Sequence, residues 1–100
     1  MLQCTQQGDT LTVHLCGEID HCAAESLRNE IEMQIVRRNA KRLILDFSQV
    51  TFMDSSGIAL ILRSQQRMQL LDGSVVIQNI PAQAKRVLDA AGIGRLVSIK

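Results

Sequence analysis

Two adjacent serines between an aspartate and a glycine, Asp54-Ser55-Ser56-Gly57, are the residues of this chain best placed to carry chemistry. They follow a strand-like run, Leu43-Ile44-Leu45-Asp46-Phe47, and a short polar loop, and they precede the apolar run Ile58-Ala59-Leu60-Ile61-Leu62. Hydroxyls at the entry to a helix lie beside unpaired backbone N–H groups and the positive end of the helix dipole. A phosphate can be held there without unfolding the domain. The same residue types are common helix caps, and spacing alone favours capping. Gly57 has a structural reading of its own, the close approach of a helix to a sheet. A second segment, Gly17-Glu18-Ile19-Asp20, stands at the end of an early strand. Asp20 can cap the following helix or meet a partner, and the two roles are compatible because a capping carboxylate keeps a second oxygen. Glu18 reads as a solvated edge residue.

Other chemistries find no support. Neither serine sits in a GxSxG elbow, and neither His14 nor His21 has a spacing that marks it as a catalytic base. There is no Walker A loop and no GxGxxG. His14, Cys16, His21 and Cys22 lack standard zinc-ligand spacing and read as surface histidines and half-buried thiols. No metal and no cofactor are therefore expected, and a small hydrolase using Ser55 or Ser56 would lack both a base and an oxyanion-hole motif.

The serines must be positioned by a small fold. One hundred residues, 46% of them hydrophobic, suit a single domain over residues 1–100. With no Trp or Tyr, and only Phe47 and Phe52, the core must be aliphatic, and stacking platforms for single-stranded nucleic acid are absent. The net charge is +1. The one compact basic cluster, Arg37, Arg38, Lys41 and Arg42, reads as a solvated helix end. Nothing in the charge balance points to DNA or to a membrane surface. No apolar stretch approaches the roughly 20 residues of a membrane span, and Met1-Leu2-Gln3-Cys4-Thr5 has no signal-peptide character. Three cysteines without CxxC spacing fit reduced thiols, so the expected compartment is the cytoplasm.

Periodicity places the elements. Residues 2–6 and 10–17 read as a hairpin about Gln7-Gly8-Asp9, with Leu11, Val13 and Leu15 alternating against Thr12, His14 and Cys16. After a break at residues 17–20, Ala24, Leu27, Ile31 and Ile35 make the inward stripe of a helix over 22–39. Residues 42–48 form a strand buried on both faces. A helix over 55–71 ends at Asp72-Gly73, where Gly suits a left-handed position. Residues 74–79 form a strand, Pro81 opens a third helix as its first residue, Gly92 stops it, and residues 96–99 form a last short strand. The order β-β-α-β-α-β-α-β implies an α/β fold with a mainly parallel sheet after the hairpin.

Met53-Asp54-Ser55-Ser56-Gly57 with Ile58-Ala59-Leu60-Ile61-Leu62 resembles the signature of bacterial anti-sigma factor antagonists, which are STAS domains. Gly17-Glu18-Ile19-Asp20-His21 matches that family's other recurring segment. Pro81-Ala82-Gln83-Ala84-Lys85-Arg86-Val87-Leu88 and Ala91-Gly92-Ile93 resemble its C-terminal helix and turn. The match runs in order over essentially the whole chain, and the paired serines favour the sporulation branch over the general-stress branch. The resemblance implies a STAS-like fold with Ser55 as the phosphorylated residue. It makes Asp20, Asp54, Ser55, Ser56 and Gly57 a surface for an anti-sigma factor that is also an ATP-dependent serine kinase. It implies a separate serine phosphatase as second partner and no catalysis by this chain. STAS domains also occur in membrane-transport and stress-sensing complexes; a free-standing chain with an intact Asp-Ser-Ser-Gly argues against that alternative.

Overall fold

The computed structural model describes residues 2–100; Met1, part of the N-terminal segment read above, lies outside the described residues. Five strands and three helices follow in the expected order: β1 (Leu2–Gln7), β2 (Thr10–Ile19), α1 (His21–Arg38), β3 (Arg42–Met53), α2 (Ser56–Leu70), β4 (Ser74–Gln78), α3 (Ala82–Ala90) and β5 (Ser98–Ile99). A short 3₁₀ turn over Ile93–Arg95 precedes β5. The sheet order is β1-β2-β3-β4-β5, with β1 antiparallel to β2 and every other pair parallel. No helix among the described residues is long and apolar enough to cross a membrane.

The parallel strands step across the sheet in one direction, so crossovers of a single hand carry all three helices over the same face. Burial agrees with that topology. Leu11, Val13, Leu15, Leu43, Leu45, Phe47, Val75 and Ile77 are buried under the helices, where they meet Leu27, Ile31, Ile35, Leu60, Ile61, Met68 and Leu88 in one aliphatic core. The alternate residues Thr12, His14, Ile44, Val76 and Gln78 are only half-buried. The strand expected to be buried on both faces is thus covered on one.

That open face is tied together by polar groups. Thr5 Oγ1 of β1 lies 3.4 Å from His14 Nε2 of β2, and His14 Nδ1 lies 2.8 Å from Asp46 Oδ2 of β3. Asn79, just past β4, donates to Asp46 Oδ1 at 3.1 Å, as does the Ser48 amide. The imidazole considered above as a zinc ligand is therefore engaged by a carboxylate.

Several boundaries differ from expectation, each for a local reason. β2 and β3 continue to Ile19 and Met53, through the segment read as a break, because two bulges absorb the irregular sequence. Gly17, at φ +81, lies between those register shifts. Burial along the end of β3 accordingly falls on Phe47, Val50 and Met53, every third residue instead of every second. Pro81 (φ −64, ψ 156) is extended and precedes the third helix instead of opening it. The left-handed residue after α2 is Asp72 (φ 56), not Gly73. Gly73 is required for space: a Cβ there would lie 2.5 Å from the Lys41 carbonyl oxygen and 2.6 Å from Met68 Cε.

Asp46 makes the open face pH-sensitive. Burial pushes its pKa up, but hydrogen bonds from Asn79, His14 and Ser48 together outweigh burial and hold the carboxyl below the ordinary carboxylate range. A carboxyl with a depressed folded pKa stabilises the fold above its unfolded pKa, and that contribution is lost as pH falls through the folded value. Urea midpoints of wild type and Asp46→Asn should therefore differ at neutral pH and approach each other below about pH 4. A difference that persists unchanged to about pH 2 would show that the charge is not its source.

Candidate functional site

The site forms where β2 and β3 end side by side. Ile19 pairs with Met53, and the Asp54 amide donates to the Ile19 carbonyl at 3.2 Å. Asp20 and Asp54, distant in sequence, are thereby brought to the carboxyl ends of adjacent parallel strands, where open α/β sheets commonly place their sites.

Both aspartates cap helices. Asp20 Oδ1 accepts from the Ala23 amide at 2.9 Å at the start of α1, and its other oxygen makes no hydrogen bond among the described residues. Asp54 Oδ1 accepts from the Ser56 amide at 2.8 Å. The first turn of α2 is tight, with the Gly57 amide on the Asp54 carbonyl and the Ile58 amide on the Ser55 carbonyl, each at 3.1 Å. Ser55 occupies the cap position in αR conformation (φ −63, ψ −16), but its side chain makes no capping hydrogen bond and is exposed. Capping at this helix is thus the work of Asp54, which leaves the Ser55 hydroxyl available.

Gly57 lies buried beneath the serines. A Cβ at this position would collide with Met53 Cγ and Sδ and reach 3.4 Å from Ile19 Cγ2. The close approach of helix to sheet read from the sequence is real, and it sets the depth at which Asp54-Ser55-Ser56 emerges. Met53 is fully buried, whereas Phe52 is 42% exposed. Of the two side chains between core and surface, only Phe52 is presented outward.

One fastening could not have been found by reading along the chain. Gln83 of α3 accepts from the Met53 amide with Oε1 at 2.9 Å and donates to the Met53 carbonyl with Nε2 at 2.8 Å. This pair imitates a strand ladder and holds α3 against the end of β3. No local signal marks a glutamine for that role, because its partner is a backbone in a distant element.

The serines face different grooves. Ser55 lines one of about 520 Å³ between α2 and α3, together with Ile58, Gln83, Arg86 and Val87. Ser56 lines another of about 330 Å³ between α1 and α2, together with His21, Glu25 and Arg28. Arg28 Nε is buried with no hydrogen-bond partner among the described residues. Among those residues no group of three or more His, Cys, Asp or Glu side chains is arranged to hold a metal ion. All five residues singled out in the sequence meet at this one edge; Gln83 and Arg86, quoted only within a matching segment, join them through α3.

An α/β sheet with all helices on one face and an Asp-Ser-Ser-Gly turn entering its second helix defines a known class. The chain belongs to the STAS domain family, whose pattern matches residues 1–100. It is 29% identical over 89 residues to the anti-sigma F factor antagonist of Paenibacillus polymyxa, covering 89% of this chain and 76% of that protein. Among solved structures it resembles the anti-sigma factor antagonist SpoIIAA in its unphosphorylated form, with a TM-score of 0.85, 27% identity, and coverage of 100% of this chain and 88% of that one. The Bacillus cell fate determinant SpoIIAA in its phosphorylated form is also similar, with a TM-score of 0.76, 27% identity, and coverage of 100% and 91%. The resemblance and the STAS-like fold expected from the sequence both hold.

The Gly57–Met53 contact yields a double-mutant test. Gly57→Ala should destabilise the protein by about 1–3 kcal/mol through overpacking, and Met53→Ala by about 2–5 kcal/mol through a cavity. Measured by urea unfolding, the double variant should lose clearly less than the sum, since each change relieves the other. Strict additivity would mean that the helix is not held against Met53.

Proposed function

We propose that this chain is an anti-sigma factor antagonist whose binding state is set by phosphorylation of Ser55. The unphosphorylated form binds an anti-sigma factor that is itself a serine kinase carrying ATP or ADP, and so releases the sigma factor. The paired serines and the resemblance to an anti-sigma F factor antagonist support sporulation sigma F as the factor released. A serine phosphatase restores the active form. The chain acts in the cytoplasm by binding, contacts neither nucleic acid nor membrane, and performs no catalysis.

The observation that carries this reading is the Ser55 hydroxyl, exposed and without a capping bond at the rim of an apolar groove. In the transfer, the Ser55 oxygen bonds to the γ-phosphorus of ATP as the bridging oxygen leaves with ADP. The hydroxyl proton passes to a base on the kinase. The product adds about −1.5 to −2 charges at neutral pH beside Asp54. In a surface desolvated by a partner that charge opposes docking, and a coupling of about 3 kcal/mol lowers affinity more than a hundredfold. Asp20, Asp54 and Ser56 complete the docking edge, with Asp20 offering its second carboxylate oxygen, and the buried Gly57 serves that edge by setting its depth against Met53.

Incubation with the cognate anti-sigma kinase and ATP, followed by intact and fragment mass measurement, tests the reading. One added phosphate is expected on Ser55, abolished in Ser55→Ala and retained in Ser56→Ala, with at least a hundredfold weaker kinase binding by the phosphorylated form. Binding without modification would remove the phospho-switch, and absence of both would remove the sigma circuit.

A further inference from the structure

We infer that Arg86 is the intramolecular receiver of the Ser55 phosphate, a positioning residue that holds the phosphoryl group across the groove between α2 and α3. The inference rests on the reading of Ser55 as the phosphorylated residue and adds what happens to the phosphate once it is there.

Arg86 is the one charged residue lining the groove in which Ser55 lies. Its guanidinium has no hydrogen bond or ion pair among the described residues, whereas other cations on α2 and α3 are engaged: Lys85 with Asp89 at 3.0 Å, and Arg67 with Glu32 at 3.5 Å. Gln83, Arg86, Val87 and Ala90 recur at helical spacing, so one face of α3 carries both the Gln83 fastening and the cation. Because Gln83 grips the backbone of Met53 from both sides, the span between α3 and the Ser55 turn is set by structure. The rest of the lining is uncharged, so no carboxylate in the groove competes for Arg86, and Ser55 and Arg86 are both exposed, which leaves the guanidinium free to reach the phosphate. A guanidinium also offers paired donors that match phosphate oxygens.

A phosphate on Ser56 would meet a different cation, Arg28, because Ser56 lines the other groove. The two serines are therefore not equivalent acceptors of a regulatory charge. Capture by Arg86 would draw its side chain over the mouth of the α2–α3 groove. Phosphorylation would then change the shape of the docking surface as well as its charge.

The test uses protein with phosphoserine installed at position 55 during synthesis, so no kinase is involved. Phosphorus NMR titration should show the second phosphate pKa lower by at least about half a unit in wild type than in Arg86→Gln, with Arg28→Gln matching wild type. Asp54 and Asp20 are common to all three proteins and cancel in the comparison. Exchange of the Arg86 Nε proton should slow in the phosphorylated form only, and unphosphorylated Arg86→Gln should unfold at the wild-type temperature. Equal phosphate titration in wild type and Arg86→Gln, or a shift caused by Arg28→Gln instead, overturns the inference. Either result stands whatever the kinase does with Ser55, so failure of the phospho-switch and failure of the receiver are separable.

Discussion

Every part of this molecule depends on a sheet that is packed from one side. Successive parallel strands add in a single direction, so every helix crosses the same face and the buried apolar core pools there. With only two aromatic residues, the pool is filled by close interdigitation of Leu, Ile, Val and Met. Such a core leaves little slack, and two glycines mark where backbone and side chain meet most tightly: Gly73 against Lys41 and Met68, and Gly57 against Met53. Among the described residues no helix covers the opposite face, and the chain Thr5–His14–Asp46–Asn79 links its strands by polar contacts instead.

The same packing determines the chemistry available at the edge. Met53 is anchored in the core, its backbone is held by Gln83, and the next residue begins the exposed turn. Asp54 satisfies the Ser56 amide, which takes over the capping role that a serine would otherwise have filled. Ser55 is thereby a hydroxyl with a defined position and no internal obligation. The phospho-switch proposed above needs both properties, since its serine enters a kinase active site and later alters a docking surface. A flexible tail would supply exposure without position, and a capping serine would supply position without an available oxygen.

The division of the paired serines between two grooves gives physical meaning to a motif that looks redundant when written out. Adjacent residues at a helix start point about 100° apart, so Ser55 faces α3 and Ser56 faces α1. Each sees a different arginine and a different partner helix. A regulatory charge placed on one cannot be replaced by the same charge on the other without changing which helices it bridges.

Much of this was legible in the sequence. The strand and helix order, the inward stripe of α1 and the position of Asp54-Ser55-Ser56-Gly57 at a helix entry follow from local pattern, because period and turn chemistry act over a few residues. Asp20 as a cap was legible for the same reason. Tertiary structure decided the rest. The helix cap at Asp54 instead of Ser55, the bulges that carry β3 to Met53, and the left-handed turn at Asp72 depend on what neighbouring strands and helices allow. The grip of Gln83 on Met53, the pairing of His14 with Asp46, and the placement of Arg86 in the groove of Ser55 join residues about thirty positions apart or linked only by packing. No local pattern encodes such pairs, since their geometry exists only after the core has brought the elements together.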